Sequence, residues 1–171
     1  PTLMAYQAVA KNKSMFTGYV NTIFYTVLGT SLNLIMTIAA GYPLSKRDFR
    51  GRGGITFLFT LTMFFSGGMV PNFLLIKNLD MYNSIWALLL PGCISAWNLV
   101  IMRTYFQTSI PEEICESAYI DGCSNISTLL RIVLPLSMPI IAVMVIFYGV
   151  GHWNSYFSAL LYLKDRDKYP L

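Results

Sequence analysis

The polar positions of this chain fall in clusters, and the intervals between the clusters are almost wholly apolar. Four intervals contain no Asp, Glu, Lys or Arg: Ser14–Ser45, Gly53–Ile76, Met81–Met102 and Ile132–Leu163. A helix of about 20 apolar residues crosses the hydrocarbon core of a bilayer, and it satisfies its own backbone hydrogen bonds while doing so. The pattern therefore predicts four spans, at about 19–43, 54–71, 84–105 and 136–161. The predicted fold class is all-α, a polytopic membrane protein. A soluble bundle is excluded because 171 residues cannot enclose four helices that are apolar all round.

The punctuation between the intervals sets the order of the elements. Pro1–Lys13 is polar enough for an external segment. Asn21 and Asn33 are the most polar side chains of the first span, and Gly29, Thr30 and Ser31 are small enough to let another helix approach closely. Lys46–Arg52 reads KRDFRGR, four basic residues in seven, which marks a short cytoplasmic loop. Two crossings later Pro111–Arg131 falls on the same side. The total count of Lys and Arg does not decide orientation, because six fall on each side, so the dense loop carries the assignment. Ser66-Gly67-Gly68 closes the second span, Pro71 restarts a helix, and Asn72–Leu79 is expected in the outer interface. Pro91 is expected to kink the third span and leave a carbonyl near residue 87 unpartnered.

Composition removes several function classes. Hydrophobic residues make up 55% and charged residues 12%, about half the charge of an ordinary soluble domain. The net charge of +4 is not interleaved with aromatics as a nucleic-acid surface would be, so no nucleic-acid partner is expected. Cys93, Cys115 and Cys123 form no C-x-x-C pair; they read as small apolar side chains, with no metal site and no disulfide framework. Ion-coupled carriers hold ionisable groups at membrane depth. Apart from Arg103 at the edge of the third span, the spans offer only His152. No G-x-x-x-x-G-K-[ST] is present, so this chain is expected to bind no cofactor, to hold no catalytic residue, and to leave ATP and magnesium to a partner.

The most patterned stretch is Pro111–Pro139, PEEICESAYIDGCSNISTLLRIVLPLSMP. Ser109 and Glu112 have capping-box spacing, and Pro111 suits a first helical turn. Ile110, Ile114 and Ala118 recur four apart on one face, while Glu112 and Glu116 share another. Gly122 follows Asp121 where a helix needs a left-handed C-terminal residue, and Ser124 can cap a second short helix that Pro135 ends or kinks.

This stretch resembles the EAA loop of permease subunits in binding-protein-dependent ABC importers. That pattern runs E-A-A-x-x-D-G-A, then a spacer, then an apolar run ending L-P-x-x-x-P. Glu116, Ala118, Asp121, Gly122, Leu134, Pro135 and Pro139 fall on it in order. Ser117 and Cys123 replace alanine, and Leu129 replaces phenylalanine. Asn83–Gly92, NSIWALLLPG, is similar to the segment opening the next span of the family. The W-N-x-x-F unit of Trp153, Asn154 and Phe157 resembles carbohydrate-type, maltose-importer-like permeases.

The resemblance implies a type I importer permease domain over residues 1–171, four spans of an expected six, with a cytoplasmic coupling loop at about 106–134. It implies Glu116, Ser117, Ala118, Asp121, Gly122 and Cys123 as the residues that couple to an ATPase, with Pro135 and Pro139 fixing how the loop joins the last span. Ile114 and Ala118 are expected to fill a groove on that ATPase, Glu116 to meet its basic rim, and Asp121 to brace the turn. The implied partners are a second permease, two ATP-binding subunits, an extracytoplasmic solute-binding protein and membrane lipid. The implied setting is the bacterial cytoplasmic membrane, crossed several times, and the cargo a sugar or oligosaccharide. His152, Trp153, Asn154 and Tyr156 offer aromatic faces and amide groups suited to a sugar path. Aromatics also gather at membrane interfaces for reasons of their own. The alternatives are a permease for a non-sugar solute, a membrane-embedded enzyme, for which a nucleophile–base pair is missing, and a purely structural membrane anchor.

Overall fold

The computed structural model describes residues 13–170, and every regular element among them is a helix, with no strand among the described residues. The helices are α1 (Lys13–Ser45), α2 (Arg52–Phe64), α3 (Met69–Asn78), α4 (Trp86–Leu89), α5 (Ala96–Thr108), α6 (Glu112–Ile120) and α7 (Asn125–Thr128). A π-helical turn, Leu129–Val133, leads into α8 (Leu134–Leu136), α9 (Met138–Trp153) and α10 (Tyr156–Tyr162), and a 3₁₀ turn at Arg166–Lys168 follows.

Helix α1 is 33 residues long and shows why the chain needs a lipid solvent. Its buried positions are mostly small or polar, Gly18, Thr22, Gly29, Thr30, Asn33, Thr37 and Gly41, joined by Tyr25, Tyr42 and, at its end, Leu44. Its exposed positions are mostly large and apolar, among them Phe16, Val20, Ile23, Val27 and Ile35. Small residues let helices close on one another, and lipid replaces water against the rest. Of the described helices, α1 alone is long and apolar enough to cross a membrane unbroken.

The other predicted spans are interrupted. The second is two helices bent by 118°. Phe65 is extended and Gly68 takes φ +85°, which no continuing helix allows. The third is not one kinked span: α4 stops before Pro91, Gly92 turns at φ +76°, and Ser95 starts α5 by accepting from the Asn98 amide at 3.4 Å. A proline beside a left-handed glycine ends the helix where proline alone would bend it. The fourth breaks at Asn154-Ser155 between α9 and α10, and α9 meets the Asn125–Leu136 arm at 84°. Among the described residues, length and composition thus allow one unbroken span, or up to three if each bent pair is one span.

The chain gathers into two compact units. The first takes the chain up to Leu32, Gly67–Cys93 and the chain from Phe147. Its apolar centre is Ile76, Ala87 and Tyr162, with Phe73 stacked on Tyr162 at 6.4 Å. The close approach expected of Gly29 occurs here. The His152 imidazole stands where a Cβ on Gly29 would come within 2.5 Å of it. The second unit takes Asn33–Ser66 and Ile94–Ile146. Leu99, Met102, Phe106, Val133, Ile140 and Met144 are buried there, and Phe106 meets Tyr42 edge-on at 6.2 Å.

Candidate functional site

The candidate site is the α6–α7 loop with the end of α1, all within the second unit. Glu112 and Glu113 occupy the first turn of α6, where carboxylates oppose the positive end of the helix dipole. Pro111 stands at the cap position rather than inside the first turn, and no side chain caps the helix, so the Ser109–Glu112 capping box does not form.

The far end of α6 is built by backbone. Gly122 takes φ +77°. The Cys123 amide donates to the Ala118 carbonyl at 2.9 Å and the Gly122 amide to Tyr119 at 3.0 Å. This is the paired Schellman arrangement, which needs a left-handed residue after the helix. The Asp121 amide donates to Ser117, but among the described residues its carboxylate makes no hydrogen bond or ion pair, so the turn is held without the expected side-chain brace. Ser124 then caps α7, accepting from the Ser127 amide at 3.3 Å.

The π-helical turn precedes Pro135 directly. Proline has no N–H for the carbonyl four residues back and its ring crowds that carbonyl, so the wider register relieves both. Ser137, fully buried, forms the corner before α9, and Pro139 lies in the first turn beyond it.

The loop rests against the basic segment that follows α1. Arg47 pairs with Glu112 at 3.4 Å, and Lys46 lies 5.1 Å from the centre of the Tyr42 ring. Burial works against the Lys46 ammonium, but contacts with Cys115 and Tyr42 outweigh it and hold its pKa above the ordinary lysine value. Between the two segments runs a groove of about 880 Å³. Tyr42, Lys46 and Phe49 line one wall, Cys115, Glu116, Tyr119 and Ile120 the other, and Ile126 and Leu129 the end. Two side chains that the sequence did not single out close the end of α1. Arg103 Nε donates to the Leu44 carbonyl at 3.0 Å, and Gln107 Nε2 donates to Ser45 at 3.2 Å. Their i, i+4 spacing was the available signal.

The apolar face of the loop differs from the one expected. Ala118 is 5% exposed and packs inward, so it cannot fill a groove on another protein. Outward apolar surface comes from Tyr119, Ile120, Ile126 and Leu130, with Ile114 only partly open. Ser117 and Glu116 face solvent, and the Ser117 hydroxyl donates back to Ile114 at 3.1 Å.

The second candidate group stays dispersed. His152 packs on Gly29, the Asn154 amide donates to the Val150 carbonyl at 2.8 Å, and Trp153 and Tyr156 are half-exposed on either side of the α9–α10 break. None of the four lines the groove above.

A family model described as binding-protein-dependent transport system inner membrane component matches residues 34–166. The chain is 43% identical over 170 residues to the polygalacturonan/rhamnogalacturonan transport system permease protein YtcP of Bacillus subtilis (strain 168), covering 99% of this chain and 59% of that protein. It is 45% identical over 170 residues to the protein LplC of the same organism, covering 99% and 57%. A crystal structure of a bacterial ABC transporter involved in import of the acidic polysaccharide alginate matches with TM-score 0.95 and 36% identity, over 98% of this chain and 59% of that one. The chain therefore spans about 59% of the length of such relatives. Breaks at the glycines and prolines, a Schellman turn carrying the D-G pair, and these matches converge: the chain belongs to the family of binding-protein-dependent transport system inner membrane components and has the type I ABC importer permease fold.

Proposed function

We propose that this chain is part of the transmembrane subunit of an ATP-driven importer, one that passes a sugar or oligosaccharide from an extracytoplasmic binding protein across the bacterial cytoplasmic membrane. Two similar proteins are named for polygalacturonan/rhamnogalacturonan transport and for alginate import, which supports the cargo class. The subunit crosses the membrane several times and works beside a second permease. Two ATP-binding subunits hold ATP and magnesium, and this chain contributes no catalytic group.

The observation that carries the reading is the α6–α7 loop. A turn held by backbone bonds alone presents Tyr119, Ile120 and Ile126 outward, beside exposed Glu116. An apolar set rimmed by a carboxylate suits the groove of a motor subunit. Glu116, Ser117, Asp121, Gly122 and Cys123 form the coupling turn, Ala118 anchors it from inside, and Pro135 and Pro139 join it to α9. His152, Trp153, Asn154 and Tyr156 remain the proposed sugar path. The test is uptake by the full-length subunit reconstituted with its neighbours, using neutral and uronate oligosaccharides. ATP-dependent uptake of an oligosaccharide is the expected result. Uptake of amino acids or peptides instead, or none without a proton gradient, would refute it.

A further inference from the structure

Asn83 makes five hydrogen bonds to one short segment. Its amide N–H donates to the Tyr162 carbonyl at 2.8 Å. Its side-chain Oδ1 accepts from the amides of Lys164 at 3.0 Å and Asp165 at 3.3 Å. Its Nδ2 donates to Asp165 Oδ2 at 3.0 Å, and its own carbonyl accepts from Lys168 Nζ at 3.2 Å. Asn83 sits at φ +61°, a left-handed position that Asn adopts more readily than most residues. The same segment is tied to α1: Asn21 Nδ2 donates to the carbonyls of Asp167 and Tyr169, and the Tyr25 hydroxyl donates to Lys168. Lys168 also pairs with Asp165 at 3.0 Å.

All these residues belong to the first unit, and the bonds to Asn21 and Tyr25 set the strap by the N-terminal part of α1, at the opposite end of that helix from the basic Lys46–Arg52 segment that marks the cytoplasmic side. The exposed side chains of the strap, Lys164, Asp165, Arg166 and Asp167, form a surface of alternating charge. A loop of this composition would fray if its backbone were not held. We infer that Asn83 is a positioning residue: it fixes the Lys164–Lys168 strap in one conformation, so that the strap's charges meet the external binding protein as a preformed docking surface. The inference rests on the transport reading for its partner and on the hydrogen bonds for its geometry. Preformed surfaces avoid the ordering cost of binding, so loosening the strap weakens docking more than it slows transport.

The experiment uses the full-length subunit in its assembled complex. Asn83→Gly keeps the left-handed backbone and deletes the side chain. Tryptic cleavage after Lys164, Arg166 and Lys168 is expected to speed up about tenfold as the strap opens. The binding-protein concentration for half-maximal ATPase stimulation is expected to rise about threefold or more, with the maximal rate within about twofold. Asn83→Asp sets a carboxylate against Asp165 and should behave alike. Adding Asp165→Asn reverses the donor and acceptor of the same bond and should restore both readouts. Unchanged cleavage in Asn83→Gly, no recovery in the double variant, or a lower maximal rate at unchanged half-saturation would each overturn the inference. If the wild-type complex shows no stimulation at all, the transport reading and the docking role fall together, and the cleavage rates still decide whether Asn83 holds the strap.

Discussion

Gly122 has open space around it: nothing lies within 4 Å of where a Cβ would stand. A substitution there is opposed by backbone conformation alone, about 1–2 kcal/mol for a left-handed L-residue and more for a β-branched one. Gly122→Val is expected to leave the subunit in the membrane and depress substrate-stimulated ATPase activity, while Gly122→Asn keeps most of it. Full stimulation in the valine variant would remove the coupling role. Gly29 is the opposite case, since the His152 ring fills the space. Gly29→Ala should cost about 1–3 kcal/mol, seen as a lower melting temperature of the purified complex, and His152→Ala should recover much of it. At Asp165 the Asn83 hydrogen bond comes first, with Lys168, in holding the carboxyl below its ordinary 3.8. A lowered carboxylate pKa stabilises the strap above 3.8 and loses that contribution as the pH falls through the folded value. Protection of the Lys164 and Asp165 amides against hydrogen exchange should therefore fall only on acidification below that range.

At the scale of elements, the end of α1 depends on α5. Arg103→Ala leaves the Leu44 carbonyl without its charged donor and is expected to cost about 1–3 kcal/mol; Gln107→Ala should cost less, about 1 kcal/mol. Thermal unfolding of the complex measures both. The Arg47–Glu112 pair, largely exposed, should matter far less: Glu112→Gln is expected to shift stability by under about 1 kcal/mol. An equal loss from Glu112→Gln and Arg103→Ala would show that the loop contact, not the helix end, bears the strain. The π-turn, Pro135 and the Ser137 corner form one joint between loop and span.

For the whole molecule, the groove sets the basic segment after α1 beside the α6–α7 loop, so a single face of the membrane must hold both. Cysteines introduced in place of Arg50 and of Ser117 should both react with impermeant thiol reagents from the inner face only. Labelling of either from outside would invert the topology.

What the sequence settled by itself is what local chemistry dictates: helical class, lipid setting, the left-handed Gly122, the Ser124 cap, and the loop pattern that places the chain in its family. Those features need only nearest neighbours along the chain. Tertiary structure alone decided whether Pro91 ends a helix or bends it, that Ala118 faces inward, and that Arg103 closes a carbonyl 59 residues away. Asn83 reads as a helix-opening asparagine, yet its partners lie some 80 residues on. In lipid, apolar residues cover the outside of the helices and small ones the inside, so hydrophobicity marks what crosses the membrane without showing which face meets which.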